Sequence, residues 1–288
     1  MKNGCRICSS LNVKELYQKN NKSVFICNDC GVFFLASVPD IQSLKMFYDS
    51  NFRDGVYSNR LREHAVRLRT ETFRMWFRIL DNYIPQSGTL LDVGCADGIA
   101  LGIAGERGLE VYGNDISTEA SLRAKDLWNG RIYSGITLHE LPFEKEFFDC
   151  VTMFDFIEHT TNPVEYLQYA GNFLKRGGVL IIATHDAGNW MRWIMGSNWS
   201  YLTPDEHFYW FTSKALESIL RRSGFNVETI RRVSKYVSMD FLYHEIQNSS
   251  RFLHGFLELA KMLLPDVLWR APLRVRLGEL LAVASKAD

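Results

Sequence analysis

The chain has 288 residues, 47% of them apolar, with 33 Lys and Arg balancing 33 Asp and Glu. That is enough apolar length for one full core plus an accessory piece, and the zero formal charge counts against a protein that holds a phosphate backbone electrostatically. No apolar leader follows Met1 and no later run reaches transmembrane length, so the expectation is a cytoplasmic protein.

In chain order, Cys5-x2-Cys8 and Cys27-x2-Cys30 come first. Two such knuckles can present four thiolates tetrahedrally to zinc. A redox pair or two disulfides are the alternatives, and the absence of a secretory leader weakens the second. A closed four-thiolate set has no open position, so the zinc is expected to be structural and to supply much of the folding energy of a ribbon over residues 1–38. Cys95 and Cys150 read as small buried residues. Residues 39–84 read as a helical linker. Leu61, Val66, Phe73, Trp76, Phe77 and Leu80 give its second part an imperfect apolar face, and Pro85 to Gly88 form the turn that ends it.

Thr89–Val93 reads as a buried parallel strand that breaks into the loop Gly94-Cys95-Ala96-Asp97-Gly98 and then a helix. The glycines allow a sharp turn and close approach of a ligand, and the helix N-terminus offers unpaired N–H groups. A second apolar segment ends at Asp115, where an acid can accept both hydroxyls of a ribose. The dinucleotide pattern fails at Ala96 and Ile99, and no Gly-Lys-Ser/Thr follows for a phosphate loop. Asp92 and Asp97 would repel a pyrophosphate and suit an amino group and a sulfonium.

Asp92-Val93-Gly94-Cys95-Ala96-Asp97-Gly98 resembles motif I of class I S-adenosylmethionine-dependent methyltransferases, with Ala96 in place of the middle glycine. Further on come Leu141-Pro142-Phe143, Phe148-Asp149-Cys150-Val151, Glu158-His159, Asn162-Pro163, and Leu174-Lys175-Arg176-Gly177-Gly178 before a β-branched strand at Val179–Thr184. This succession is similar to that of the ubiquinone-biosynthesis-like methyltransferases, from about Leu90 to Val227. The resemblance implies an α/β, Rossmann-like seven-stranded sheet with helices on both faces, and S-adenosylmethionine bound within residues 85–233. The ribose would sit on Asp115, the adenine against Ile116 and the methionine end near Asp92 and Gly94. Cys95, Ala96, Gly98, Phe154 and Tyr57 complete the expected cofactor set. A four-cysteine ribbon followed by a segment with Pro39, Tyr48 and Tyr57 is also similar to bacterial methyltransferases of sugar and polysaccharide pathways, although one proline of their pair is missing. It implies a small-molecule acceptor, a sugar hydroxyl being the expected group. Sugar C-methyltransferases share the ribbon but carry a large C-terminal domain, for which this chain ends too soon.

After the fifth strand, Trp190, Trp193, Trp199, Tyr201, Phe208, Tyr209 and Trp210 suggest an aromatic cover facing substrate, with packing under a long loop as the plainer role for each. Three histidines fall near the expected site. His207 is the expected general base, with His185 and His159 as the other candidates. A helix is expected at Thr212–Arg222, a sixth strand at Phe225–Val233, and a helical extension over 234–288 with stretches at Phe252–Leu264 and Val267–Val283. Such amphipathic basic helices more often pack on their own domain or on a second copy in a homodimer than on a membrane. An RNA methyltransferase with a zinc module stays open, but Lys14, Lys19 and Lys22 are scattered and no nucleic-acid partner is expected. A non-enzymatic zinc-binding protein also stays open. Asp92, Gly94, Gly98 and Asp115 weigh against it.

Overall fold

Leu90 and Leu91 show how the main sheet divides its core. Both are buried, and successive strand residues point to opposite faces. Leu90, with Cys150 and Ile181 on neighbouring strands, packs under Trp76, Phe77, Leu101 and Ala104. Leu91, with Val151, Leu180 and Ile182, packs under Leu167, Ala170, Leu216 and Ile219. A sheet covered on both faces needs strands that are apolar throughout, which is what these runs supply.

The computed structural model describes residues 4–54, 63–128, 131–246 and 251–287. Its central strands are β4 (Gly88–Val93), β5 (Leu109–Asp115), β6 (Ile132–Ser134), β7 (Phe148–Phe154) and β8 (Leu174–His185). With β10 (Phe225–Val237) and β11 (Leu273–Lys286) they form a seven-stranded sheet in the order β10-β11-β8-β7-β4-β5-β6. Helices α2 (Glu63–Ile79) and α3 (Ile99–Glu106) cover one face, and α5 (Pro163–Phe173) and α7 (Ser213–Arg222) the other; α1 (Ile41–Arg53) precedes α2, and α4 (Leu122–Leu127) lies between β5 and β6. Asn162 caps α5 ahead of Pro163 at its first turn, and the Thr212 hydroxyl caps α7, as the residue types predict.

The segment Val267–Val283 corrects the helical expectation. Only Asp266–Trp269 is helical, and Leu273–Lys286 is the strand β11, inserted antiparallel between β8 and β10. Pro272 stops the helix. Leu273, Val275 and Leu277 then alternate with Arg274 and Arg276, a period of two that suits a strand, and Leu280–Ala284 is buried between neighbours. Helices α8 (Met239–Ile246) and α9 (Arg251–Leu263) precede it.

The N-terminal segment makes a second sheet from β1 (Val13–Lys19), β2 (Lys22–Cys27) and β3 (Phe33–Leu35). Its fourth strand, β9 (Tyr209–Trp210), comes from far along the chain, after β8: Phe33 pairs with Trp210 and Phe34 with Tyr209. Trp199, Phe208, Tyr209 and Trp210 are each 1% exposed, so this part of the expected aromatic cover is core. Trp190 and Trp193 are exposed.

Candidate active site

The loop after β4 takes left-handed backbone at Gly94 (φ 77°), Ala96 (φ 43°) and Gly98 (φ 78°). A Cβ at Gly94 would come within 2.4 Å of the Phe156 ring, so only glycine fits there. Ala96 carries a left-handed cost of about 1–2 kcal/mol, offset by its N–H donating to Asp115 Oδ2 at 3.0 Å. Ser117 N–H donates to the other oxygen, Oδ1, at 2.8 Å. A carboxylate can accept about four hydrogen bonds, so Asp115 keeps capacity for a ligand's hydroxyls. Burial pushes its pKa up to about 6.

Asp92 lies beneath the loop, 3% exposed, and accepts from the Thr152 hydroxyl at 2.7 Å. Burial raises its pKa to about 7. Asp97 is paired with Arg69 of α2 at 2.6 Å. Together the loop and the ends of β5 and β7 wall an open cleft.

Of the residues expected to hold the cofactor or carry the chemistry, Gly94, Ala96, Asp115, Ile116 and His159 line this cleft. Asp92, Cys95, Gly98 and Phe154 do not. Cys95 is buried in the core beside Gly113, so it offers the loop its backbone only. Phe154 points to the opposite side of the sheet, with ring centroids 5.3 Å from Phe73 and 6.0 Å from both Trp76 and Phe77. Tyr57 lies outside the described residues. Tyr48, Asn114, Thr137, Asp155, Phe156 and Glu206 also line the cleft and were not anticipated as ligand contacts. Phe156 could have been suspected from its place beside Glu158-His159, but Thr137 and Glu206 carry no local signal.

The three histidines do come together. The His207 ring lies 4.6 Å from that of His159 and 5.3 Å from that of His185. They differ in position: His159 lines the cleft, whereas His207 and His185 stand behind it. His159 Nδ1 is 2.9 Å from the Glu206 carbonyl and 2.8 Å from the Tyr48 hydroxyl. A carbonyl only accepts, so Nδ1 carries the proton and Nε2 is the basic atom. His207 Nδ1 donates to the Tyr201 carbonyl at 2.9 Å and lies 3.0 Å from the Thr203 hydroxyl, holding its own loop. The expected base is therefore one layer back from the cleft.

His185 belongs to a buried charge network. Its Nδ1 is 3.0 Å from Glu279, which also pairs with Lys235 at 2.7 Å, and its ring stacks on Tyr201 at 3.9 Å. Burial alone would lower the His185 pKa, but the Glu279 carboxylate raises it to about 9. A histidine held as a cation at neutral pH is a poor proton acceptor. Glu158, 1% exposed and 3.9 Å from His185 Nε2, is pushed up to about 8 by burial.

At the other end, Cys5 Sγ lies 3.6 Å from Cys30 Sγ, and Cys8 Sγ lies 3.5 Å from Cys27 Sγ. All four sulfurs fall within 4.8 Å of one another. Four sulfurs tetrahedral about zinc at about 2.3 Å sit roughly 3.8 Å apart, so the set fits that ion.

A family model described as a methyltransferase domain matches residues 62–230, more than half of the chain. The chain belongs to this methyltransferase-domain family. Sheet order and family agree on a class I methyltransferase fold. Among curated relatives, a ubiquinone biosynthesis O-methyltransferase of Cereibacter sphaeroides is 29% identical over 152 residues, 46% of this chain and 62% of that protein. A protein of the same name from Nitrosomonas europaea is 33% identical over 101 residues, 33% of this chain and 43% of its own. The chain thus spans less than two thirds of the length of these relatives. Among solved structures, the Burkholderia thailandensis 1,6-didemethyltoxoflavin-N1-methyltransferase, with S-adenosylhomocysteine bound, has a TM-score of 0.54 and 15% identity. That match covers 96% of this chain and all of the other, and shows the fold alone.

Proposed function

We propose that this methyltransferase domain transfers a methyl group from S-adenosylmethionine to a hydroxyl of a small-molecule acceptor, with His159 receiving the hydroxyl proton. The observation that carries the reading is that Asp115 and the Gly94 turn form one wall of the cleft while His159 stands on another. The cofactor, when bound, supplies an electrophilic sulfonium methyl. Asp115 would hold the ribose hydroxyls, Ile116 would pack on the adenine and Gly94 would let the methionine end approach the backbone. Asp92, buried just beneath, would favour the amino group by its charge.

The acceptor would enter between Tyr48, Phe52, Phe156 and Tyr166, which line the same cleft. These rings suit a small, largely apolar ring bearing the hydroxyl, and the names of the curated relatives favour oxygen as the accepting atom. The Glu206 carbonyl fixes the His159 tautomer, and Nε2 would be the atom that accepts the proton. A positioned imidazole of this kind contributes on the order of 10²–10⁴ in rate. The carbohydrate acceptor expected from the ribbon rests on that resemblance alone, because Trp199, Tyr209 and Trp210, expected in a cover facing substrate, are buried. The four-cysteine cluster would hold one structural zinc.

Mass spectrometry with methyl-labelled S-adenosylmethionine and a panel of phenolic, sugar and amine acceptors tests this reading. Label should appear on oxygen, and His159→Gln should lower turnover by at least about a hundredfold with cofactor affinity kept. Label on nitrogen or carbon only, or full turnover by His159→Gln, would overturn it.

A further inference from the structure

Two apolar surfaces leave the same edge of the main sheet as the cofactor loop. Helix α6 (Trp190–Met195) follows the end of β8, and α8 to α10 (Asp266–Trp269) connect the end of β10 to the start of β11. Each braces its inner residues on α8. Met191 and Met195 face Phe241 and Leu242 across a small apolar gap, and Trp269 donates to Asp240 at 3.1 Å with its ring 6.1 Å from Tyr243. What remains outside is large and apolar. Trp193 is 74% exposed, Ile194 76%, Met262 83%, Leu263 76% and Val267 76%. Single exposed aliphatic residues are ordinary, but a series of this length marks a contact surface.

Charge selects the partner. In a chain of zero formal net charge, residues 254–276 hold four Lys and Arg against two Asp and Glu. Arg270, Arg274 and Arg276 are exposed and follow the apolar series directly in the chain. No helix among the described residues is long and apolar enough to cross a membrane. A helix with an apolar outer face and basic neighbours lies in the plane of a bilayer, with indole rings at headgroup depth and arginines on lipid phosphates.

We propose that the exposed apolar residues of α6 and of the α9–α10 segment, two elements braced on α8, dock on an anionic membrane surface. The bilayer would cover Trp193, Met262, Leu263 and Val267, and Arg270, Arg274 and Arg276 would contact the phosphates. Docked in this way, the protein presents the edge of the sheet that carries the cofactor cleft toward the bilayer.

Co-sedimentation with phosphatidylcholine vesicles, with and without phosphatidylglycerol, tests the proposal independently of any methyl-transfer assay. The full chain should bind only the anionic vesicles, and added salt should release it. The triple charge reversal R270E/R274E/R276E should weaken partitioning by at least roughly a hundredfold. M262S/L263S should also weaken it, with unchanged thermal melting, since both positions are exposed. Four outcomes would overturn the proposal: no binding to anionic vesicles, equal binding to neutral vesicles, variants that bind like the parent, or a dimer dispersed by M262S/L263S without vesicle binding.

Discussion

Lys22 and Asp205, 183 residues apart in the chain, pair at 2.8 Å across the seam between the four-cysteine ribbon and the loop that leads to His207. The contact is one of several. Asn20 donates to the same carboxylate at 2.6 Å, Lys19 to the Leu202 carbonyl at 2.7 Å and Lys22 to the Pro204 carbonyl at 3.0 Å. The turn of the β1–β2 hairpin therefore grips residues 202–205, immediately before the Glu206 carbonyl that orients His159. Both partners are about half exposed, so the ion pair itself contributes little stability. Its consequence is positional.

Asp205→Ala should cost no more than about 1 kcal/mol of stability. It should speed amide exchange at Glu206 and His207 while leaving the Gly94–Gly98 amides unchanged. Hydrogen exchange read by mass spectrometry distinguishes this from a global loss. Unchanged exchange at Glu206 and His207 would show that the loop holds itself.

Metal removal should have a wider effect. Protein purified without chelator should contain one zinc per chain by elemental analysis, and Cys27→Ser should lose it. Because β3 pairs with β9 at Phe33–Trp210 and Phe34–Tyr209, loss of the ribbon should also unprotect the Tyr209 and Trp210 amides. A metal-free protein with those amides still protected would contradict a structural zinc.

Asp92 makes stability depend on pH. Burial raises its pKa from the ordinary 3.8 to about 7. The folded state therefore binds more protons than the unfolded state between about pH 4 and pH 7, and stability falls as pH rises through that window. Asp92→Asn keeps an acceptor for Thr152 and removes the buried charge. It should raise Tm at about pH 7.5, with an upper limit of about 4 kcal/mol from a three-unit shift, and the gain should vanish near pH 4. Thermal melts across that range check it, and a gain that grows toward low pH would reverse the assignment.

The cleft wall proposed to hold the cofactor was legible in the sequence because its determinants are local. Strand, glycine turn and helix follow one another from Thr89, and Asp115 ends the next strand, so pattern alone places Gly94, Ala96 and Asp115. Which way a strand-end side chain points is not local. Phe154 was expected on the cofactor, but Phe73, Trp76 and Phe77, far earlier in the chain, draw it to the other face. The histidines were found as a group, yet their order from the cleft depends on Glu279, Lys235 and the 201–207 loop. β11 was missed because Leu280–Val283 is apolar enough for either a helix or a buried strand, and only the alternation at Leu273–Leu277 separates the two.

The most direct measurement is isothermal titration calorimetry of S-adenosylhomocysteine and, separately, NAD against the parent protein and Asp115→Ala. S-adenosylhomocysteine should bind and NAD should not, and the variant should lose about 1–3 kcal/mol, roughly 5- to 150-fold, of that affinity. Parent protein that binds NAD tightly and not S-adenosylhomocysteine would contradict it, as would a variant that binds S-adenosylhomocysteine as well as the parent does.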